Sequence, residues 1–220
     1  KFMKKFLLFF IPFILFGFSF ESFAKDGNIL QLIQTQYKKI KSFSGTFVQF
    51  SYQKNSETIP RKAEGEVAYK RPGKMRWLYS IPEEHLLVTN GKTLWLFDPL
   101  LENVTVKKLE KIADGTALSF MLGFGDLNYD FDRRDLTKNF LGDEDGLVVE
   151  LVPKKRNSNL SFIQLKINPK TYDLKQMLLM DDQGNYRTIE LNFMKYNLKL
   201  EDNFFEFQIT KDIEVIEADF

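Results

Sequence analysis

Cysteine is absent from this chain of 220 residues, and histidine occurs only once. The absence of cysteine excludes disulfide bonds, cysteine-ligated zinc and thiol catalysis together. Lys and Arg number 31 against 30 Asp and Glu, so the chain lacks the basic charge typical of nucleic-acid binding. A chain of this length without disulfide bonds depends on its hydrophobic core for stability.

Aromatic residues are abundant, with 23 Phe in the chain. The first residues are basic, an almost purely apolar run follows from Phe6 to Phe20, and Ser22-Phe23-Ala24 fits a small-residue cleavage site. This plan is typical of a secretory signal peptide, and the run is shorter than the roughly 20 apolar residues of a spanning helix. We therefore predict a signal peptide over 1–24, one domain over 25–220 and a periplasmic protein.

Hydrophobic periodicity predicts one helix followed by many strands. Helical spacing favours a helix from Asn28 to Ile40. From Phe43 to Leu109 the period changes to two, which predicts a meander of antiparallel strands with a hairpin at Asn90-Gly91. Further strands are predicted over 147–152, 160–168, 174–180, 186–196 and 204–216.

A short helix predicted from Asp114 to Leu122 interrupts the strands. Leu118 and Met121 share its apolar face, so the helix must cover part of the sheet. The residues leave open whether it is a plug over one end of the sheet or a lid over a ligand cavity.

No sequence pattern typical of catalysis occurs. His85 is interpreted as an exposed strand residue, Gly91-Lys92-Thr93 lacks the earlier glycine of a phosphate-binding loop, and no G-x-S-x-G is found. We therefore predict no enzyme, no metal site and no cofactor, with an esterase as the enzyme-class alternative.

An apolar sheet face beneath an apolar helix suits acyl chains, which need apolar area and adaptable side chains rather than hydrogen-bond partners. The candidates to line such a surface are Phe50, Trp77, Trp95, Phe97, Leu118 and Met121.

The segment Arg71-Pro72-Gly73 predicts a turn into a strand whose Met75, Trp77 and Tyr79 share one face. On residues alone, an ordinary core strand beside a surface arginine is the favoured interpretation. The surrounding segments read KRPGKMRWLYSIP and LLVTNGKTLWLFDPLLENV. In this order and spacing they resemble the LolA family, periplasmic carriers of outer-membrane lipoproteins.

The resemblance implies a mainly β fold, namely an incomplete, half-open antiparallel β-barrel with an N-terminal helix and short lid helices covering an apolar cavity. It also implies that Arg71 gates the lid, bonding lid backbone in the empty state and releasing it when acyl chains enter. Met75 stands at the position before the RW pair where the family usually has Phe; this is a departure, but Met is still apolar, so Met75 joins the candidates for acyl-chain binding.

The resemblance further implies a carrier, without cofactor or catalysis, that takes triacylated lipoproteins from a LolCDE-type inner-membrane ABC transporter. Such a carrier delivers them to a LolB-type receptor where one exists, and we expect a monomer that binds no nucleic acid. Residues 210–216 match the family's C-terminal pattern without its Pro and Gly. A small outer-membrane β-barrel and a lipoprotein-sensing periplasmic protein of the same superfamily are the alternatives.

Overall fold

The computed structural model describes residues 29–109, 126–142, 144–155 and 160–217. Helix α1 spans Ile29–Lys39, and the one-turn helix α2 spans Leu127–Asp130. The strands are β1 Ser42–Tyr52, β2 Arg61–Lys70, β3 Lys74–Ile81, β4 His85–Asn90, β5 Thr93–Asp98, β6 Asn103–Lys108, β7 Phe131–Arg134, β8 Leu147–Pro153, β9 Leu160–Ile167, β10 Leu174–Asp181, β11 Tyr186–Tyr196 and β12 Glu214–Glu217. The predicted signal peptide and the predicted helix 114–122 lie outside the described residues.

The described strands form one 12-stranded sheet in the order β12-β6-β5-β4-β3-β2-β1-β11-β10-β9-β8-β7. The predicted meander β1–β6 is confirmed, and β7–β11 form a second meander that joins the first where β1 pairs with β11. The sheet is antiparallel except at one edge, where β12 pairs parallel with β6. None of the described helices has the length and apolar character needed to cross a membrane.

The two predicted turns occupy positions where the backbone requires glycine. Gly73 has φ +63° between β2 and β3, and Gly91 has φ +91° between β4 and β5. Both lie in the left-handed region that glycine enters without steric cost. The Asn90 side chain accepts hydrogen bonds from the amides of Lys92 and Thr93, which fixes the second turn.

The sheet curls around a core on its inner face, the face that α1 covers. Leu94 of β5 and Phe131 of β7 lie near opposite ends of the strand order, yet both belong to one buried cluster with Leu30 and Ile33 of α1. A flat sheet would keep these strands far apart. Because β7 and β12 are the two edges of the described sheet, its outline is that of a half-open barrel.

The outer face carries its own apolar cluster, which the C-terminal segment covers. Trp95 and Val88 pack there with Phe205, a fully buried residue of the 3-10 helix Asp202–Phe205. The prediction of a continuous strand over 204–216 is therefore wrong, because only Glu214–Glu217 pairs with the sheet. The apolar residues of this segment pack across strands instead of alternating along one.

Two lysines of the β2–β3 hairpin hold the start of this C-terminal segment. The ammonium groups of Lys70 and Lys74 lie 2.6 and 2.7 Å from the same carboxylate oxygen of Asp202. Lys70 also donates to the Leu200 carbonyl at 2.6 Å, and the Arg76 guanidinium lies 5.2 Å from the centre of the Phe204 ring. Hydrogen bonds from the two lysines lower the pKa of Asp202 to about 2.

We expect Asp202→Asn to loosen the C-terminal segment at neutral pH, because it removes the charge that both lysines bind. The measurement is amide hydrogen exchange of residues 200–207, which should be faster in the variant.

The effect should also depend on pH. A carboxyl with a lowered pKa contributes its stability above its ordinary pKa of 3.8, and that contribution is lost as the pH falls through about 2. The difference between variant and wild type should therefore be constant above about pH 5 and shrink below 3.8. Equal exchange at pH 7 would contradict this role.

Candidate functional site

An apolar cavity lies between α1 and the inner face of the sheet. Its volume is about 50 Å³. Side chains from α1, from β1 to β3 and from β9 to β11 surround it, and they are almost all apolar: Ile33, Gln36, Tyr37, Ile40, Phe43, Val67, Trp77, Leu165, Tyr172, Asp173, Leu174, Met177, Leu191, Met194 and Tyr196. Helix α1 is amphipathic, so the face that it buries forms the roof of this cavity.

Two of the predicted acyl-chain residues lie on the cavity side of the sheet. Trp77 lines the cavity and is 5% exposed, and Met75 is 1% exposed in the same buried cluster. Tyr79 packs against that cluster too, so the predicted shared face of Met75, Trp77 and Tyr79 is confirmed. The Phe47 ring lies beside this face, with its centre 4.6 Å from that of Trp77.

Three predicted residues lie on the opposite face, which corrects the prediction that one surface holds them all. Trp95 and Phe97 belong to the outer cluster, and Phe97 packs on Phe207 with ring centres 5.0 Å apart. Phe47 and Gln49 of β1 both face inward, and Phe50 follows Gln49 directly. Because successive side chains of a strand point to opposite faces, Phe50 points outward. Both faces of this sheet are apolar, so alternation alone does not identify the face with the cavity. Leu118 and Met121 lie outside the described residues.

Arg71 joins the β2–β3 turn to the end of α1. Its Nε donates to the Ile40 carbonyl at 3.0 Å, and its terminal NH₂ donates to the Tyr37 carbonyl at 2.9 Å. The last carbonyls of a helix lack partners within the helix and carry its negative dipole end, so a guanidinium suits them. The helix that Arg71 is seen to bond is thus α1, while the predicted lid helix 114–122 lies outside the described residues.

The rings of two tyrosines lie close to the Arg71 guanidinium. Its carbon lies 5.0 Å from the centre of the Tyr37 ring and 5.8 Å from that of Tyr69, both within the range of cation–π attraction. The two rings stack with centres 6.1 Å apart, and their hydroxyl groups hydrogen-bond each other. Burial raises the pKa of Tyr37 well above its ordinary value, so this hydroxyl stays protonated at neutral pH.

Further polar contacts hold α1 along its length. Gln36 donates to the Asp173 carboxylate at 2.9 Å, which ties the helix to the β9–β10 loop. Buried Gln34 accepts from the Leu127 amide at 3.0 Å, which ties it to α2. A net contribution of about 0.5–1.5 kcal/mol is typical of each such bond. The roof of the cavity is therefore attached by several weak polar bonds as well as by its apolar face.

The sequence also raised His85 as a candidate for chemistry. His85 begins β4 with a 42% exposed side chain, 3.7 Å from carboxylate oxygens of Glu83 and Asp98. Within the described ranges, His, Asp and Glu side chains form no group of three that could hold a metal ion.

A curled sheet with an apolar cavity under a tethered helix defines the class of half-open β-barrels. The chain belongs to the family of outer membrane lipoprotein carrier proteins, LolA, whose family model matches residues 38–208. The family resemblance seen in the sequence and the mainly β, half-open fold are both confirmed.

Relatives from several bacteria support this assignment. An outer-membrane lipoprotein carrier protein of Legionella pneumophila (strain Corby) is 32% identical over 92% of this chain and 96% of its own. One from Azotobacter vinelandii is 31% identical over 91% of this chain and 94% of its own. A solved structure of an uncharacterized conserved protein from Thermus thermophilus matches with TM-score 0.53 and 12% identity, covering 88% of this chain and 99% of that one. The solved structure supports the fold alone.

We expect Tyr37→Phe and Tyr69→Phe each to weaken the attachment of α1 by about 0.5–1.5 kcal/mol, because each removes one partner of the same hydroxyl bond. Hydrogen exchange of the α1 amides should rise in both variants. The double variant should exchange no faster than the single ones, since coupled groups are not additive. Tyr52→Phe, in a stacked pair at the other end of β1, is the matched control. Additive effects would show that the hydroxyl groups act independently.

Proposed function

We propose that this protein is a periplasmic carrier that binds the acyl chains of lipoproteins and carries them to the outer membrane. The observation that carries the proposal is the apolar cavity under α1, in a member of the LolA family. The described lining of the cavity is mainly apolar, which is what the binding of acyl chains requires. The carrier receives triacylated lipoproteins from a LolCDE-type ABC transporter and passes them to a LolB-type receptor where one exists. We expect it to act as a monomer, without cofactor or enzymatic activity.

The size of the cavity indicates that loading requires α1 to move. Pockets for ligands of moderate size measure roughly 300–1,000 Å³, far above the 50 Å³ seen under α1. About ten buried CH₂ groups contribute roughly 8 kcal/mol, which exceeds the handful of polar bonds on α1 at about 1 kcal/mol each. An acyl chain can therefore displace the helix and replace its apolar contacts with its own.

In this proposal Arg71 sets the balance between the empty and loaded states. It bonds the Tyr37 and Ile40 carbonyls while α1 covers the cavity, and it loses both bonds when the helix lifts. These bonds lower the free energy of the empty state only. They therefore lower the affinity of the protein for acyl chains and favour the release of these chains to an acceptor.

The test of the carrier function uses purified protein and a triacylated lipoprotein. The two are mixed in detergent, the detergent is removed, and the mixture is separated by gel filtration. We expect the lipoprotein to stay soluble in a one-to-one complex with the carrier, because the cavity shields its acyl chains from water. Precipitation of the lipoprotein, with the protein eluting alone, would contradict the proposal.

We expect Arg71→Leu to keep the fold and the binding of acyl chains but to slow the hand-over of cargo. Losing both bonds to α1 destabilises the empty state by roughly 1–3 kcal/mol, two bonds at about 0.5–1.5 kcal/mol each, so the loaded complex becomes harder to discharge. The measurement is the rate at which bound lipoprotein moves to acceptor membranes or receptor. Arg76→Leu is the matched control, since Arg76 lies on the same hairpin and contacts the outer-face residue Phe204. Transfer at the wild-type rate in Arg71→Leu would rule out the gating role.

A further inference from the structure

One buried donor at the cavity makes no hydrogen bond of standard geometry with the described residues. The indole N–H of Trp77, which lines the apolar cavity, is buried and has only a loose interaction with the nearby Tyr79 hydroxyl. A buried donor without a partner costs roughly 1–3 kcal/mol, and such groups are rare enough in folded proteins to need an explanation. A bound ligand with an acceptor oxygen at this point would satisfy the group.

A line of polar groups continues from Trp77 along the inner face of β3 and β1. Tyr79, two residues along β3 on the same face, donates from its hydroxyl to the Gln49 side chain at 3.2 Å, and Gln49 donates to the Ser51 hydroxyl at 3.3 Å. Burial raises the pKa of Tyr79, while the Arg187 charge and the nearby Trp77 N–H oppose part of that rise. These groups therefore lie together on the inner face, beside the apolar cluster that contains Trp77.

Two arginines complete this line at the rim. Ser51 is directly opposite Arg187 of β11 on one side and Arg61 of β2 on the other, so all three side chains point to the inner face. Both arginines are exposed and border a groove of about 900 Å³ together with Gln49, Tyr79 and the apolar Leu160 and Leu179. Asp181 borders the groove as well, but its carboxylate accepts three hydrogen bonds from Gln183 and Asn185 within its own turn.

The order of these groups matches the order of groups in an acylated ligand. The hydrocarbon chains of such a ligand would occupy the apolar cavity on one side of Trp77. The hydrogen-bond donors lie on the other side, where the ligand's ester and amide carbonyl oxygens would join its acyl chains to the head group. We propose that Trp77, Tyr79, Gln49, Arg61 and Arg187 form a subsite for the ester and amide carbonyls of a lipidated N-terminus. This inference rests on the proposed carrier function and adds that the ligand is recognised by its acyl linkages as well as by its chains.

The experiment compares two ligands of equal chain length, a diacylglycerol and its dialkyl-ether analogue, which lacks the carbonyl groups. Wild-type protein should bind the ester about three- to tenfold more tightly than the ether, the gain typical of one or two net hydrogen bonds. Arg187→Gln and Tyr79→Phe should each reduce that preference about threefold and leave ether binding unchanged. Lys170→Gln, an exposed change of charge in the β9–β10 loop, should leave both affinities unchanged.

The two tryptophans provide an internal control. The indole N–H resonances of Trp77 and Trp95 are followed by NMR in protein with ¹⁵N-labelled tryptophan. The Trp77 signal should move downfield with the ester and less with the ether, because only the ester brings a strong acceptor to this donor. The Trp95 signal should stay in place with both ligands, since Trp95 lies in the outer cluster.

The outcomes separate this inference from the carrier function. If both ligands bind equally tightly and Trp77 responds equally to both, the carrier function stands and the carbonyl subsite is wrong. If inorganic phosphate alone binds at the arginines and displaces the ester, the rim is an anion site and the inference is again wrong. If neither lipid binds to wild-type protein, the proposed function fails and the subsite fails with it.

Discussion

A sheet that is apolar on both faces must be covered on both, and most of the described structure follows from this constraint. Helix α1 covers the inner cluster, and the C-terminal segment 200–213 covers the outer one. Both covers are attached at the same hairpin. Arg71 bonds the end of α1 on one side, and Lys70 with Lys74 binds Asp202 on the other. The β2–β3 turn is therefore the point at which the inner and outer layers are anchored to the sheet.

The two covers are attached in physically different ways. The outer segment buries Phe205 completely and places a carboxylate between two ammonium groups, so it combines apolar burial with opposite charges. Helix α1 is held instead by the bonds of Arg71 to backbone carbonyls and by side-chain amides such as Gln36, and its ion pair from Lys38 to Asp126 is long and exposed. Beneath it lies the apolar cavity, so its buried face makes fewer dispersion contacts than a fully packed core would provide. In the proposed carrier function, the inner cover is therefore the one that an apolar ligand replaces.

Local sequence patterns predicted most strands and turns of the fold well, because a strand or a turn depends on a few neighbouring residues. Period-two alternation gave the strands of the first meander, and Asn90-Gly91 gave its hairpin. The placement of Trp95 and Phe97 could not be predicted in this way, since alternation separates two faces without saying which one encloses the cavity. The prediction of a continuous C-terminal strand was wrong for a related reason. The parallel pairing of β12 with β6 joins residues about a hundred positions apart, which local patterns do not reveal.

The candidate site shows the same division between local and distant information. The resemblance pointed to Arg71, but its partners on α1 lie 31 and 34 residues earlier and become visible only in the fold. Arg61 and Arg187 carry no motif, and only strand register brings them to either side of Ser51. A purely apolar ligand would gain nothing from the donors that line this path, while burying them would still cost free energy. Their position directly above the cavity is explained most simply by a ligand that is apolar at one end and rich in acceptor oxygens at the next.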